Sequence, residues 1–388
     1  MEAPTMRDFL REALKATQAY LRSGKTLDDF KAKHGIRGKT DGHHVILDYD
    51  QITVRWDEPF GYVCRGLVLD ARTLDVVCFG LHKFFNAGEG HAAPIDWSTA
   101  RVYEKLDGTM VNRWWSPRLE RFVCSTRFQL PGDMETNTVQ GGYSLTWADL
   151  VRRAGLLGDH PDEPAQPIGE TWTFEVTSPY NRVVTRQTET RRALLAIREN
   201  DTLREHRPEV HADEPQPRTF AFSSAEEVAA FAETLDGTET EGFVVVDGEF
   251  NRQKVKGSSY VYLHRLKDGA GSVKNLILLA KKGEADEVLA HFPEYRPQFD
   301  TIKSTIADLV ATHEEAYARH ADAPTQKDFA IGVNALGLPA PHLLFNVRAG
   351  KAPTIADALF ALDEPKFLRA VKPLVERAGL VVDEDGAA

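Results

Sequence analysis

Lys105-Leu106-Asp107-Gly108-Thr109 places a primary amine two residues before an acid and three before a glycine, in the form K-x-D-G-[ST]. An amine at a strand edge before an Asp-Gly turn suits attack on the α-phosphate of a nucleoside triphosphate. Such an amine must be neutral part of the time, and a free lysine is almost wholly protonated. Burial and neighbouring cations lower its pKa. The charge that builds on phosphorus needs fixed cations. A divalent metal bridging phosphate oxygens needs hard ligands.

Residues of each type follow in order. Lys254 and Lys256 alternate on a strand-like run, so both side chains share a face and can supply cations. Glu175 and Glu241 are acids inside apolar runs, Phe174-Glu175-Val176 and Glu241-Gly242-Phe243-Val244-Val245. Arg65 and Lys83 are charges in apolar company, suited to distal phosphates. Singly, each has a plain structural explanation: an Asp-Gly turn, a solvated lysine face, an acid in a structural pair. Together, and in this order, they point to nucleotidyl transfer through a lysine.

These side chains need elements to hold them. Residues 6–34 read as helical, broken at Ser23-Gly24, with Thr26-Leu27-Asp28-Asp29 opening a second helix. From His44 to Thr126 the pattern becomes β-branched and aromatic. It predicts strands at 52–56, 62–70, 76–85, 101–115 and 121–126. A helix over 144–156 and a proline-rich loop over 159–169 precede strands at 171–177 and 193–197. After a polar loop at 206–218, Ser224-Ala225-Glu226-Glu227 opens a helix, and strands return at 241–246 and 253–256. Beyond Asp268 only helical spacing remains, over 273–292, 298–318, 326–336, 340–348, 354–362 and 366–378. A domain boundary is expected near 268–272, dividing 1–268 from 269–388.

The chain has 388 residues, enough for two or three domains, and a net charge of −11. That charge argues against broad, unspecific nucleic-acid binding but leaves room for a local basic groove on an acidic body. It predicts modest affinity for nucleic acid with strong salt dependence. Cys64, Cys78 and Cys124 are scattered, without a C-x-x-C pair, and read as free buried thiols. No apolar run is long enough to span a membrane, and the N-terminal stretch lacks a signal peptide's apolar core, so a cytoplasmic location is expected. His43-His44 reads as an exposed turn. No G-x-x-x-x-G-K-[ST] motif occurs, so end-healing would fall to another protein.

The ordered set resembles the covalent nucleotidyltransferases, and more closely the RNA ligase 1 family typified by the tRNA-repair ligase of T-even phages. Three stretches carry the closer likeness: Arg65-Gly66-Leu67-Val68 with His82-Lys83-Phe84-Phe85-Asn86; Phe174 to Val184 (F-E-V-T-S-P-Y-N-R-V-V); and Lys254 to His264 (K-V-K-G-S-S-Y-V-Y-L-H). The resemblance implies an α+β fold: an antiparallel-sheet nucleotidyltransferase (ATP-grasp-like ligase) domain followed by a small all-helical domain. It implies Lys105 as the adenylated nucleophile. Arg65, Lys83, Glu104, Asp107, Gly108, Glu175, Lys254, Lys256 and Tyr260 would bind ATP or AMP. Within that set Asp107 and Glu175 lie toward the ribose, Lys254 and Lys256 at the α-phosphate, and Arg65, Lys83 and Tyr260 at the distal phosphates. Glu241 would serve Mg2+ or Mn2+, Phe85 would pack near the nucleotide, and Arg127 would add a basic group. The implied partner is RNA with 5′-phosphate and 3′-hydroxyl ends, nicked tRNA among them. The rivals are a DNA ligase, a capping-type enzyme, and a non-catalytic RNA-end-binding protein. The K-F-F-N and S-P-x-N-R elements count against the first two, and retention of Lys105, Glu241, Lys254 and Lys256 counts against the third.

Overall fold

The computed structural model describes residues 5–139, 144–158, 160, 163–270, 272–283, 288–289 and 292–382. The chain divides into two compact units, Met1–Val261 and Tyr262–Ala388.

The first unit opens with helices Met6–Arg22 and Leu27–His34, each started by a threonine capping box, at Thr5/Asp8 and Thr26/Asp29. Their apolar faces cover a four-stranded antiparallel sheet, β1 (Ile36–Thr40), β2 (His44–Tyr49), β3 (Arg65–Asp70) and β4 (Val76–Cys78), paired in that order. Leu10, Leu14, Phe30, Leu47 and Leu67 form the core between them.

Two five-stranded sheets follow. Their strands are β5 (Phe85–Asn86), β6 (Arg101–Lys105), β7 (Thr109–Ser116), β8 (Arg121–Ser125), β9 (Glu170–Thr177), β10 (Arg191–Glu199), β11 (Glu205–His206), β12 (Thr219–Phe220), β13 (Gly242–Val246) and β14 (Arg252–Lys256). One sheet runs β11-β10-β9-β7-β8 and the other β12-β6-β13-β14-β5. Every pairing is antiparallel except β14 with β5. The α+β architecture expected from the sequence is therefore present. Tyr262–Ala388 is helical in its described residues, with helices at Val273–Lys282, Arg296–His320, Gln326–Ala335, His342–Arg348, Ile355–Phe360 and Glu364–Arg377. The helix Ser258–Ala270 begins in the first unit.

Several local expectations are corrected. Residues 52–56 form a turn, not a strand, because the Asp50 carboxylate captures the amides of Ile52 and Thr53 at 3.0 Å each. Phe60–Val63 is one helical turn, and the strand begins only at Arg65. The run 76–85 splits into β4 and β5, since the Phe79 amide donates to Thr171 Oγ1 (3.1 Å) instead of continuing a ladder. The run 101–115 breaks at 106–108. His44 is buried, not exposed; its Nε2 lies 2.8 Å from Ser116 Oγ and its ring sits edge-on to Trp114. The expected helix at 273–292 is helical over Val273–Lys282, and 284–287 and 290–291 lie outside the described residues, as do 159, 161 and 162 of the proline-rich loop. No helix among the described residues is long and apolar enough to cross a membrane. The three cysteines are free and buried, and burial pushes their thiols up.

Candidate active site

The break at 106–108 is what builds the site. Lys105 ends β6 in one five-stranded sheet, and Thr109 begins β7 in the other. The K-x-D-G-T segment therefore crosses from sheet to sheet. Gly108 sits so close to β9 that a Cβ would lie 2.4 Å from the Val176 carbonyl oxygen, so no side chain fits. Its amide donates to Glu175 Oε1 at 3.1 Å. Asp107 is buried, and its Oδ2 accepts from the amides of Val184 (2.7 Å) and Thr185 (2.6 Å). Its Oδ1 accepts from the Tyr260 hydroxyl at 2.7 Å. Asp107 and Tyr260 thus lock the crossing, and the Tyr260 ring also packs under Lys256, whose Nζ lies 5.2 Å from its centroid. Asn181 completes the fastening by donating to Thr109 Oγ1 (3.0 Å) and to the Val176 carbonyl (2.9 Å). The likeness at S-P-Y-N-R marked Asn181 in the sequence without revealing this tie.

Strand register supplies the rest. Gly242, the first residue of β13, pairs with Lys105 on one side and Lys256 on the other. Its φ of 139° and a Cβ position only 2.2 Å from the Val255 carbonyl oxygen exclude any other residue. Glu241, one residue earlier, is held between the two lysines. Its Oε2 is 2.6 Å from Lys105 Nζ and its Oε1 is 2.8 Å from Lys256 Nζ. The Glu241 side chain is 4% exposed, against 22% for Lys105 and 28% for Lys256. Burial by itself would lower the Lys105 pKa, but Glu241, Glu175 and Asp107 outweigh it and hold the ammonium above its ordinary value. Glu175 goes the other way: burial pushes its carboxyl up to about 7, against the pull of Lys105. Glu104 stays apart. Strand alternation turns it to the face opposite Lys105, where Arg218 holds its carboxylate at 2.9 Å.

Beside this cluster is a polar cleft of about 440 Å³, lined by Arg65, Lys83, Arg127, Lys254 and Lys256 with Tyr49, Trp56, Phe84 and Phe85. Lys83 lies 4.7 Å from the Phe85 ring centroid and 5.3 Å from that of Trp56. Arg65 donates to the Leu81 carbonyl (3.4 Å) and approaches Met110 Sδ (3.0 Å). Arg127 is braced by the fully buried Asp48, whose Oδ1 accepts its Nε at 2.7 Å while Oδ2 accepts from Arg37 at 2.8 Å. Asp48 and the aromatic wall of Tyr49 and Trp56 were missed in the sequence. Asp48 carried the same signal as Glu175, an acid within an apolar strand. Trp56 carried none, since its turn depends on Asp50.

Burial, then Lys83, Arg65, Lys105 and Lys256, depress Lys254 to about 7. The sign follows. The folded state holds Lys254 neutral above about pH 7, where the unfolded chain keeps the proton until the ordinary lysine range. Stability from this group therefore rises with pH across that window, and its buried charge disfavours folding below it. An anion in the cleft favours the charged form. We expect ATP, without divalent metal so that no chemistry intervenes, to bind with uptake of about one proton near pH 8. Lys254→Met should lose that uptake. Titration calorimetry in buffers of different ionisation enthalpy measures it; equal uptake by both proteins would refute the assignment.

Among the described residues no group of three or more His, Cys, Asp or Glu is placed to hold a metal ion. A donor set of Glu241 with the neighbouring Glu175 suits an ion whose remaining ligands are substrate phosphates and water.

A lysine at the seam of two five-stranded sheets, clamped by a carboxylate and faced by a cationic cleft, is the site of a nucleotidyltransferase-type fold. The family model described as RNA ligase matches residues 63–268, just over half of the chain, and the chain belongs to that family. A protein of Autographa californica nuclear polyhedrosis virus, provisionally named a bifunctional polynucleotide kinase/RNA ligase, is 25% identical over 375 residues. That alignment covers 90% of this chain and 51% of the viral protein, so the chain spans about half the length of this relative. Among solved structures, an archaeal ATP-dependent RNA ligase overlays with a TM-score of 0.43 at 14% identity, covering 96% of this chain and 81% of the other. A protein of Aquifex aeolicus, provisionally named an ATP-dependent DNA ligase, overlays with a TM-score of 0.41 at 12% identity, covering 83% of this chain and 87% of the other.

Proposed function

We propose that this protein is an ATP-dependent RNA ligase that joins 5′-phosphate and 3′-hydroxyl ends through a lysyl-AMP intermediate. The observation that carries the reading is the Lys105–Glu241–Lys256 clamp at the mouth of the cationic cleft, in a chain of the RNA ligase family.

The geometry supports a division of labour. Arg65, Lys83 and Lys254 bind and orient the triphosphate in the cleft, with Arg127 as a further cation. Glu175 has a carboxyl to offer the ribose while it anchors the Gly108 amide. The resting Lys105 is protonated and paired with Glu241, so it cannot attack until that pairing loosens. Glu241 would hold divalent magnesium or manganese, which would supply charge neutralisation at the phosphates. Lys105 becomes a nucleophile when its ammonium proton passes to solvent, a loss that Glu241, Glu175 and Asp107 oppose and that the Lys256 cation on the same Glu241 carboxylate favours. Lys105 Nζ then forms a bond to the α-phosphorus and pyrophosphate leaves. AMP passes to the RNA 5′-phosphate, and a 3′-hydroxyl displaces it to seal the strand. Damaged tRNA is the substrate the sequence resemblance favours, and the helical unit is the part we assign to RNA selection. Asp107 and Tyr260 serve by holding the Lys105 turn rather than by touching phosphate.

The test is incubation with α-labelled ATP and magnesium or manganese, followed by 5′-phosphorylated RNA. Label should stay on the denatured protein and then move to RNA. Absence of label, together with absence of pre-bound AMP in the intact mass, would end the ligase reading.

A further inference from the structure

A second cleft, of about 520 Å³, lies wholly within the first unit and away from Lys105. The β13–β14 hairpin locates it. Gly242 of β13 pairs with Lys105, whereas Val246 pairs with Arg101 at the far end of β6, about 13 Å along the strand. Gly248, Glu249 and Phe250 of the hairpin tip line the cleft, as do Arg7 at the start of the first helix and Arg204 and Arg207 near β11. Arg7 and Arg204 are exposed. Arg207 is fixed in place by the carbonyl oxygens of Thr99 (2.9 Å) and Asp247 (3.0 Å). So the net acidic chain gathers guanidinium groups here that the nucleotide site does not use.

Two further observations mark the cleft as a binding surface. Phe250 is held at φ 63°, a region a bulky residue rarely occupies, and it places an aromatic ring on the cleft wall. His82, 1% exposed, also lines the cleft, and its Nδ1 has no hydrogen-bond partner among the described residues. Burial, with Arg198, Arg252 and Arg65, holds its pKa well below the ordinary value. The next residues, Lys83, Phe84 and Phe85, line the cationic cleft instead. The segment 82–85 is thus a wall shared by both clefts.

Guanidinium groups beside a half-buried aromatic ring on the cleft wall suit a flexible polyanion with flat faces, which is single-stranded nucleic acid. We propose that this cleft binds the RNA strand. Its phosphates meet Arg7, Arg204 and Arg207, one base stacks on Phe250, and the strand passes the 82–85 wall toward the cationic cleft. The choice of RNA rests on the proposed ligase function.

The probe is a fluorescent, 5′-phosphorylated single-stranded RNA of about 16 nucleotides, the upper end of a single-strand site, titrated by anisotropy onto the full chain. Arg7→Ala/Arg204→Ala should weaken binding about tenfold and lower the slope of log affinity against log salt by about 1.4, the expectation for two lost single-strand phosphate contacts. Phe250→Gly removes the ring while relieving the backbone, so it should fold and bind RNA several-fold more weakly. The control, Lys31→Ala/Lys33→Ala, removes two exposed charges from another face and should bind as the wild type does. Labelling by α-labelled ATP should be unchanged in all of them. Wild-type affinity and salt slope in the arginine variant would overturn the proposal, as would a matching loss in the control. A parallel loss of ATP labelling would also overturn it. Wild-type protein that labels but does not bind the RNA sinks the cleft alone. Protein that binds RNA through these arginines but never labels sinks the ligase reading and leaves the cleft standing.

Discussion

Lys105→Ala should abolish covalent labelling by α-labelled ATP, a loss of at least about 10⁴-fold, the scale seen when a covalent nucleophile is removed. Lys256 shares the Glu241 carboxylate but lies on β14, two strands from β6 in the sheet. The variant should keep its fold. Glu241 retains Lys256 as a partner at 2.8 Å, and removing a lysine that is 22% exposed leaves no buried acid stranded. Denaturant unfolding should therefore show a change of no more than about 1 kcal/mol. A sharper outcome concerns RNA that already carries AMP on its 5′-phosphate. Lysine does no chemistry in the final step, so Lys105→Ala should still join such RNA to a 3′-hydroxyl. Wild-type labelling in the variant would refute the nucleophile. Loss of sealing with the pre-adenylated strand would show that Lys105 does more than attack ATP.

Glu241→Gln should behave differently, because Glu241 has two tasks. As the acid between Lys105 and Lys256 it balances two ammonium groups, and a neutral amide leaves both facing each other. Removing one partner of a buried ion pair is strongly destabilising. Here the lysines are 22% and 28% exposed, so solvent screening reduces the effect to about 1–2 kcal/mol, measurable by urea unfolding. The larger loss is catalytic. With the proposed metal ligand gone, labelling should fall about 10³-fold. The residual rate should need higher concentrations of magnesium or manganese. Sealing of pre-adenylated RNA, spared in Lys105→Ala, should fall as well. A wild-type dependence on metal concentration would remove Glu241 from that role and leave it as a structural clamp.

The chemistry was legible in the sequence to the extent that it depends on residue type and short spacing. A lysine two residues before an Asp-Gly turn, two lysines at strand spacing, and acids inside apolar runs are local facts. So are the helix starts at Thr5 and Thr26, because a capping box spans only four residues. Strands around the motifs followed from their β-branched and aromatic content, and the family resemblance supplied their antiparallel arrangement. Tertiary structure alone decided where these pieces meet. The register of β13 against β6 and β14 puts Glu241 between Lys105 and Lys256, across 136 residues in the first case. No local pattern encodes that pairing. The break at 106–108 sends the motif from one sheet to the other, and only the captured amides of Val184 and Thr185 reveal that Asp107 is a lock rather than an open acceptor. Glu104, which the resemblance placed with the nucleotide, is turned to the opposite face by strand alternation and paired with Arg218. Trp56 reached the cleft because Asp50 folded its expected strand into a turn. Side-chain type is a property of position in the chain. Partnership is a property of distance in space, and only the packed sheets bring these positions within hydrogen-bonding range.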